Sequence, residues 1–411
     1  MAISDTFKGW TSAQKHVVAA SYLGWTLDAF DFFLMVFVIK DVAKAFGAGK
    51  EDIAWALTLT LMLRPVGAFI FGRLADRFGR RPVLMADVAT YSLLALATAF
   101  APNLITFLVI RALFGIAMGG EWGIGASLTM ETVKPEARGF VSGLLQSGYP
   151  TGYLLASILY RTCYDDLGAW TGFAPWRVMF LAGVIPALLI LYIRRHVPES
   201  PGWSTRHAET GTVFNVLRKH WALALYAIVL MTAFNFFSHG TQDIYPTFLQ
   251  VQHKFDVHTA GNIAIIYNIG AILGGWTFGI WSQSFGRRRT IIVAALLSIP
   301  VAYVWAFSQT AAMLALGAFL MQFFVQGAWG VIPAHLNELS PRDARGTFPG
   351  TVYQLGNFIA SYNAVLQTKI AVKSGENYSI ALASVAVIAA IVIVVLSAFG
   401  HEARDADLSA E

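Results

Sequence analysis

Gly72-Arg-Leu-Ala-Asp-Arg-Phe-Gly-Arg-Arg81 returns 207 residues later as Gly279-Ile-Trp-Ser-Gln-Ser-Phe-Gly-Arg-Arg288. Gly72, Phe78, Gly79, Arg80 and Arg81 match Gly279, Phe285, Gly286, Arg287 and Arg288. A second block keeps the same offset without a gap. Gly120, Trp122, Gly123, Glu131, Ala137, Arg138 and Gly139 match Gly327, Trp329, Gly330, Glu338, Ala344, Arg345 and Gly346. Both basic blocks sit between apolar runs of about 20 residues, the length of a helix that crosses a hydrocarbon core. The pattern reads as an all-α membrane protein made of two parallel repeats.

Composition agrees. The chain of 411 residues is 56% hydrophobic and 13% charged, where soluble domains carry about 25% charged residues. Twelve spans are expected, near 16–39, 52–74, 82–101, 104–130, 138–161, 176–195, 221–249, 259–281, 290–308, 311–338, 345–369 and 378–400. They group into a six-helix bundle over 1–195, a polar, basic linker over 196–220 and a second six-helix bundle over 221–411. Duplicated bundles of this kind hold their site between the halves, near mid-membrane.

The net charge of +5 does not imply nucleic acid as a partner, because Lys and Arg gather at span ends. Arg77/Arg80/Arg81, Lys134/Arg138, Arg194 through Lys219, Arg287–Arg289 and Arg342/Arg345 fall on one side. That bias places both termini in the cytoplasm and the chain in a plasma membrane, with short tails leaning to a bacterial inner membrane. The lone Cys163 excludes an internal disulfide or a multi-cysteine metal site. Neither metal nor cofactor is expected, and the functional unit is expected to be a monomer in the bilayer.

One span breaks the apolar pattern: Asn235-Phe-Phe-Ser-His-Gly-Thr-Gln-Asp-Ile-Tyr-Pro-Thr247. Asn235, His239 and Asp243 stand four apart and share a helix face, with Ser238 and Gln242 beside them. A polar stripe at membrane depth faces a water-filled cavity or a partner helix. The stretch reads as the lining of a transport pathway.

Gly72–Arg81 resembles the loop signature between the second and third helices of the major facilitator superfamily, and Arg111-x-x-x-Gly115-x-x-x-Gly119 resembles its fourth-helix motif. The likeness covers essentially the whole chain. It implies gate or structural roles for Gly72, Asp76, Arg77, Gly79, Arg80 and Arg111, with Asp76 latching the inner gate across the halves. Gln283 stands where the second copy would carry an acid, so the latch is expected to be one-sided. The Asn235–Thr247 stretch is similar to the signature of the yeast-type lactate and pyruvate proton symporters, within the sialate:proton symporter branch. Gly24-Trp-Thr-Leu-Asp-Ala-Phe-Asp31 also resembles that branch. The resemblance implies uptake of a small monocarboxylate together with a proton.

Individual side chains sharpen this. Arg64 lies inside the second span, about 13 Å of helix before Arg73, and its guanidinium fork suits bidentate capture of a carboxylate. A fixed ion pair with Asp28, Asp31 or Glu121 is the other reading. Asp28, Asp31, Glu121, His239 and Asp243 are the candidates for holding the coupled proton. A buried carboxyl resists ionisation, and histidine titrates in the physiological range. Asn235, His239, Gln242, Gln354, Asn357 and Tyr149 join Arg64 as candidate substrate contacts, although amides at this depth also hold helices together. Arg111 is read either as the family's functional arginine or as an interfacial cation. Glu131/Arg138 and Glu338/Arg345, present in both halves, read as gate and packing elements.

The expectation is thus a secondary transporter working by alternating access, bringing a lactate- or pyruvate-like anion and a proton inward. A larger acid, such as sialate or an aromatic acid, is the alternative substrate, and a membrane carboxylate sensor the alternative of another class. An enzyme is not expected, because no nucleophile–base pair or metal set is clustered.

Overall fold

A computed structural model describes residues 9–204, 218–404, 406 and 408. Most of the expected linker, 205–217, lies outside the described residues. The first half comprises α1 (Ser12–Phe46), α2 (Lys50–Phe78), α3 (Arg80–Ala99), α4 (Leu104–Thr132), α5 (Arg138–Gln146), α6 (Gly148–Thr171), α7 (Pro175–Ala182) and α8 (Ala187–His196), followed by the short α9 (Pro201–Ser204). The second half comprises α10 (Trp221–Gln242), α11 (Tyr245–Val251), α12 (Val257–Phe285), α13 (Arg287–Phe307), α14 (Ala311–Trp329), α15 (Ile332–Leu339), α16 (Phe348–Ala360), α17 (Asn363–Lys373) and α18 (Tyr378–Phe399). The pairs α5–α6, α7–α8, α10–α11, α14–α15 and α16–α17 each make one interrupted crossing, so the architecture is the expected twelve-helix one.

The breaks have local causes. Pro186, Pro246 and Pro333 sit at or just inside the helices that restart after three of them, where a missing N–H costs nothing. Ten crossings are long and apolar enough to be recognised as spans by composition alone among the described residues. The other two are α5–α6 and α16–α17, whose apolar runs are diluted by Gln146, Tyr149, Gln354 and Asn357.

Glycines set how closely helices approach within each half. A Cβ on Gly119 of α4 would stand 2.0 Å from the carbonyl of Arg64, and one on Gly115 would stand 2.3 Å from that of Thr60. Gly67 and Gly274, equivalent in the repeat, press on Ile116 and Phe323 in the same way. Such contact is possible only without a side chain. With its backbone seated on Gly119, Arg64 has its side chain turned away toward the centre.

The halves meet through α2 and α4 against α16, and through α5 against α12. The contacts concentrate on the face that bears the arginine-rich loops, hereafter the basic face. There a Cβ on Gly72 would stand 2.8 Å from the Cα of Thr347, and one on Gly279 would stand 2.7 Å from the carbonyl of Gly139. Gly79 and Gly286 end α2 and α12 with φ of 104° and 99°, a backbone that L side chains avoid. Each frees the next helix to start at an arginine.

Candidate functional site

Between the halves lies a cavity of about 30 Å³, room for a few waters at roughly 10–15 Å³ each. Arg64, Tyr149, Asn235, His239 and Asn357 border it, together with Gln146, Ser238, Gln326, Trp25, Phe32, Leu61, Trp329 and Tyr353. Five of the seven expected substrate contacts are therefore neighbours there. Gln242 turns away to donate to Gln322 Oε1 at 2.8 Å. Gln354 sits one turn behind Asn357 and accepts from its Nδ2 at 3.3 Å.

The polar stripe of α10 serves two surfaces at once. Asn235, Ser238 and His239 face the cavity, while Thr241 and Gln242 bind Gln322 of α14. Gln326, one turn further along α14, donates to Ser238 Oγ at 3.1 Å. The stripe ends where the helix ends. Asp243 caps α10, and α11 restarts around Pro246, because proline cannot continue the backbone ladder.

Arg64 is 3% exposed. Its guanidinium stands 5.1 Å from the centre of the Phe32 ring, and its NH2 group lies 3.4 Å from the sulfur of Met118. No carboxylate comes within ion-pair distance of it among the described residues. The fixed ion pair with Asp28, Asp31 or Glu121 is thus not formed, and the guanidinium is left pointing at the cavity. Asp28, fully buried in α1 and not part of the cavity lining, lies within electrostatic range of the guanidinium.

His239 is held at both ring nitrogens. Nδ1 lies 3.1 Å from Asp243 Oδ1, and Nε2 lies 3.1 Å from Asn357 Oδ1. Two oxygen acceptors on one imidazole are the partners of its doubly protonated form, in which both nitrogens donate. The Asp243 side chain is 37% exposed, so a polar line runs from open solvent through Asp243 and His239 to the cavity.

Aromatic rings complete the walls. Trp25 stacks on Tyr149 with centroids 5.7 Å apart, and Tyr353 is clasped between Trp122 and Trp329 at 4.7 and 5.5 Å. Trp122 adjoins Gly123, where α4 crosses α16 at Gly350. This ring layer therefore lies between the cavity and the basic face.

On the basic face the latch is two-sided, correcting the one-sided expectation. Asp76 Oδ1 accepts from the N–H of Gly346 at 2.8 Å; its Oδ2 accepts from the N–H of Thr347 at 3.0 Å and from its hydroxyl at 2.5 Å. At the equivalent place in the other half, Gln283 Oε1 accepts from the N–H of Gly139 at 3.0 Å. An amide oxygen can receive that bond as a carboxylate does; residue type alone did not reveal this. Phe140 replaces Thr347 in the repeat, so the Gln283 side lacks the hydroxyl donor.

Behind each latch stands a buried ion pair. Arg80 contacts Asp76 and Glu131, each at 3.1 Å, and Arg287 contacts Glu338 at 2.9 Å. Glu199 accepts from the N–H groups of Arg80 and Arg81, and Glu402 from that of Arg288. Arg138 donates to the carbonyl of Ala406 at 2.5 Å and Arg345 to that of Leu408 at 2.6 Å. The segment after α18 thereby straps both halves, with Leu408 buried against Val18, Met130 and Val141. Arg77 remains exposed at the rim.

The model of the Major Facilitator Superfamily matches residues 21–256, more than half of the chain. The chain belongs to this superfamily. A sugar (and other) transporter family model matches residues 222–401. A carboxylic acid transporter protein homolog of Saccharomyces cerevisiae is 30% identical over 378 residues, covering 85% of this chain and 60% of that one. The chain thus spans less than two thirds of that relative's length. The sialic acid transporter NanX of Escherichia coli is 26% identical over 398 residues and covers 95% of both chains. Among solved structures, the proton:xylose symporter XylE superposes with a TM-score of 0.76 at 17% identity, covering 97% of this chain and 98% of that one, a likeness of fold. Superfamily membership makes the chain a multi-pass membrane protein of a transporter family, not an enzyme.

Several lining residues escaped the sequence reading. Phe32, Tyr353 and Gln326 carry no signal in spans already rich in aromatics. Trp329 was visible as a repeat position, and its partner Trp122 with it, without a role attached. Arg111 lies fully buried over the Phe114 ring at 3.9 Å, which removes the interfacial reading. Asp28, Asp31 and Glu121 sit in the interior of the first half, behind the cavity.

Proposed function

We propose that the chain takes up a small monocarboxylate together with a proton by alternating access, across a plasma membrane with both termini in the cytoplasm. The observation that carries the reading is Arg64: a buried guanidinium on the cavity wall with no carboxylate of its own. A cation so placed is costly unless an anion arrives, and a substrate carboxylate is the anion that fits its fork. Asn235, Asn357 and Tyr149 stand around that seat to meet a hydroxyl or keto oxygen. The relatives named for carboxylic and sialic acids support an organic acid as cargo.

Proton coupling is supported by His239, whose two ring nitrogens face acceptors and whose partner Asp243 reaches solvent. Positive-inside bias makes the basic face cytoplasmic, so the state described is latched on the inside. Anion and proton together add no net charge to the chain, whichever buried group holds the proton, and the neutral, compact state is the one able to cross over. The six-helix units over 1–195 and 221–411 would rock about the cavity, with a monomer sufficient.

A second reading rests on the walls. Trp25, Phe32, Tyr149, Trp329 and Tyr353 surround Arg64 with flat rings, which suits an aromatic acid as well as a short one. Uptake of labelled lactate, pyruvate, acetate, nicotinate and sialate into proteoliposomes, at two external pH values, separates these. Accumulation of a short acid that rises as external pH falls is expected. Uptake of none of them, or uptake indifferent to pH, would overturn the coupled-monocarboxylate reading.

A further inference from the structure

The first half contains more buried acid than buried base. At mid-depth lie Asp28 and Asp31 of α1, Asp87 of α3 and Glu121 of α4, against Arg64 of α2 and Arg111 of α4, each at most 3% exposed. No carboxyl oxygen of the four has a hydrogen-bond partner. Asp28 lies within electrostatic range of both arginines and Asp31 of Arg111, without an ion pair, so four acids stand against two bases and two carboxyls have no cation to answer them. Asp87 and Glu121 are left over. The main charges acting on Asp87 come from Asp28, and those on Glu121 from Asp28 and Asp87.

The geometry points to Asp87, with Glu121 on the facing helix α4, as the proton-holding site on the inner side of the first half, separate from the substrate cavity. This rests on the proton-coupled reading above. Two uncompensated carboxylates in a dry interior would be prohibitive, so at least one must hold a proton. The site is shaped for carboxyls by missing side chains. A Cβ on Gly120 would stand 3.0 Å from Asp87 Oδ1, and one on Gly24 would stand 2.3 Å from Glu121 Oε1. Gly125 and Ser21 flank Glu121 on its other side.

Position supplies the direction. Asp87 is seven residues from the start of α3 at the basic face, about 10 Å of helix, and is the last buried carboxyl before the Arg80–Glu131 pair. Tyr91, one turn further out, has a buried hydroxyl without a partner and lies within electrostatic range of all four acids. A proton taken up by a carboxylate near Asp28 can pass through that hydroxyl or a water to Asp87, and leave to the cytoplasm when the latch opens. Of the other helices packed on α3, α7 offers Arg177, already bonded to the carbonyls of Ala99 and Ala101. From α8 comes Tyr192, bonded to His16.

The test compares wild type, Asp87→Asn, Glu121→Gln and the double variant in proteoliposomes, with membrane content checked. With one proton per anion, one unit of inward pH gradient supports about tenfold accumulation of labelled lactate. Asp87→Asn should bring that ratio toward one, and the double variant should be no worse than either single, because one proton is shared. In the wild-type protein, dicyclohexylcarbodiimide, which reacts with protonated carboxyls in apolar surroundings, should label Asp87 less as pH rises, read by peptide mass. Wild-type-like accumulation by Asp87→Asn, or no pH-dependent adduct at Asp87 should that variant fail to fold, overturns the assignment. Wild type that does not accumulate lactate under a pH gradient instead defeats the underlying functional reading.

Discussion

Replacing Asp76 by Asn tests the inner latch quantitatively. The side chain is 3% exposed, and Oδ2 receives two donors from Thr347 while Oδ1 receives Gly346. Asparagine keeps the volume but offers one acceptor oxygen; its amide nitrogen would then confront donors. With Oδ1 kept, two charge-assisted bonds are lost, at roughly 1.5 kcal/mol or more each. The closed state should weaken by about 3 kcal/mol, a shift of about 100-fold toward the open gate. Arg80 retains Glu131, so the helix ends should stay ordered. Spin labels replacing the exposed residues Lys134 and Arg342, in a Cys163→Ser background, report the separation of the halves by pulsed dipolar spectroscopy. A dominant long-distance population is expected in Asp76→Asn. The paired variant Gln283→Ala removes one neutral bond across the halves, to Gly139, about 1 kcal/mol and about fivefold; the bond Gln283 also accepts from Arg287 lies within its own half. An unchanged distance distribution in Asp76→Asn, or a larger effect from Gln283→Ala, would refute the reasoning.

Arg64→Gln should abolish acid uptake while the protein still reaches the membrane; Arg64→Lys, which keeps charge but not the fork, should retain a fraction of it with raised KM. Normal uptake kinetics in Arg64→Gln would remove the residue from the site. Gly123→Val should wedge the halves apart, because a Cβ there would meet the Cα of Gly350 at 2.8 Å. The same label pair should read an opened gate without loss of the helical signal in circular dichroism. Truncation after Arg404 removes the carbonyls that receive Arg138 and Arg345 and the burial of Leu408. About 3 kcal/mol of gate closure should be lost, seen as a longer distance between the same label pair.

Much of this architecture was legible because the bilayer imposes strict rules. Ten crossings announce themselves by length and apolarity, and the other two, equivalent to each other in the 207-residue repeat, are required by the even spacing of the basic loops around them. Asn235, His239 and Arg64 stood out because polar atoms are expensive where hydrocarbon surrounds them. The aromatic lining was not legible, since Trp25, Phe32 and Tyr353 resemble every lipid-facing or packing ring in the chain. Gln283 misled because residue type suggested a missing charge, whereas the backbone N–H it meets requires only an oxygen. Asp87 falls inside the expected third span, two turns after the arginine pair, and its sequence carries no motif that singles it out. The signal that would have found it is a carboxyl inside an apolar helix with no basic residue at i±3 or i±4. The strap at Ala406 and Leu408 has no signature, because its partners receive it through main-chain carbonyls.

Two of the interrupted crossings, α5–α6 and α16–α17, are the ones not apolar enough to read as spans on composition alone, so lipid by itself favours them least. They bring Gln146, Tyr149, Gln354 and Asn357 to the middle of the protein, where function needs them. Membrane integration must therefore be cooperative: earlier segments hold a sheltered place, and each late segment enters against protein rather than lipid. Biogenesis and selectivity are tied to the same side chains, so variants that make these helices greasier should insert more readily and transport less well.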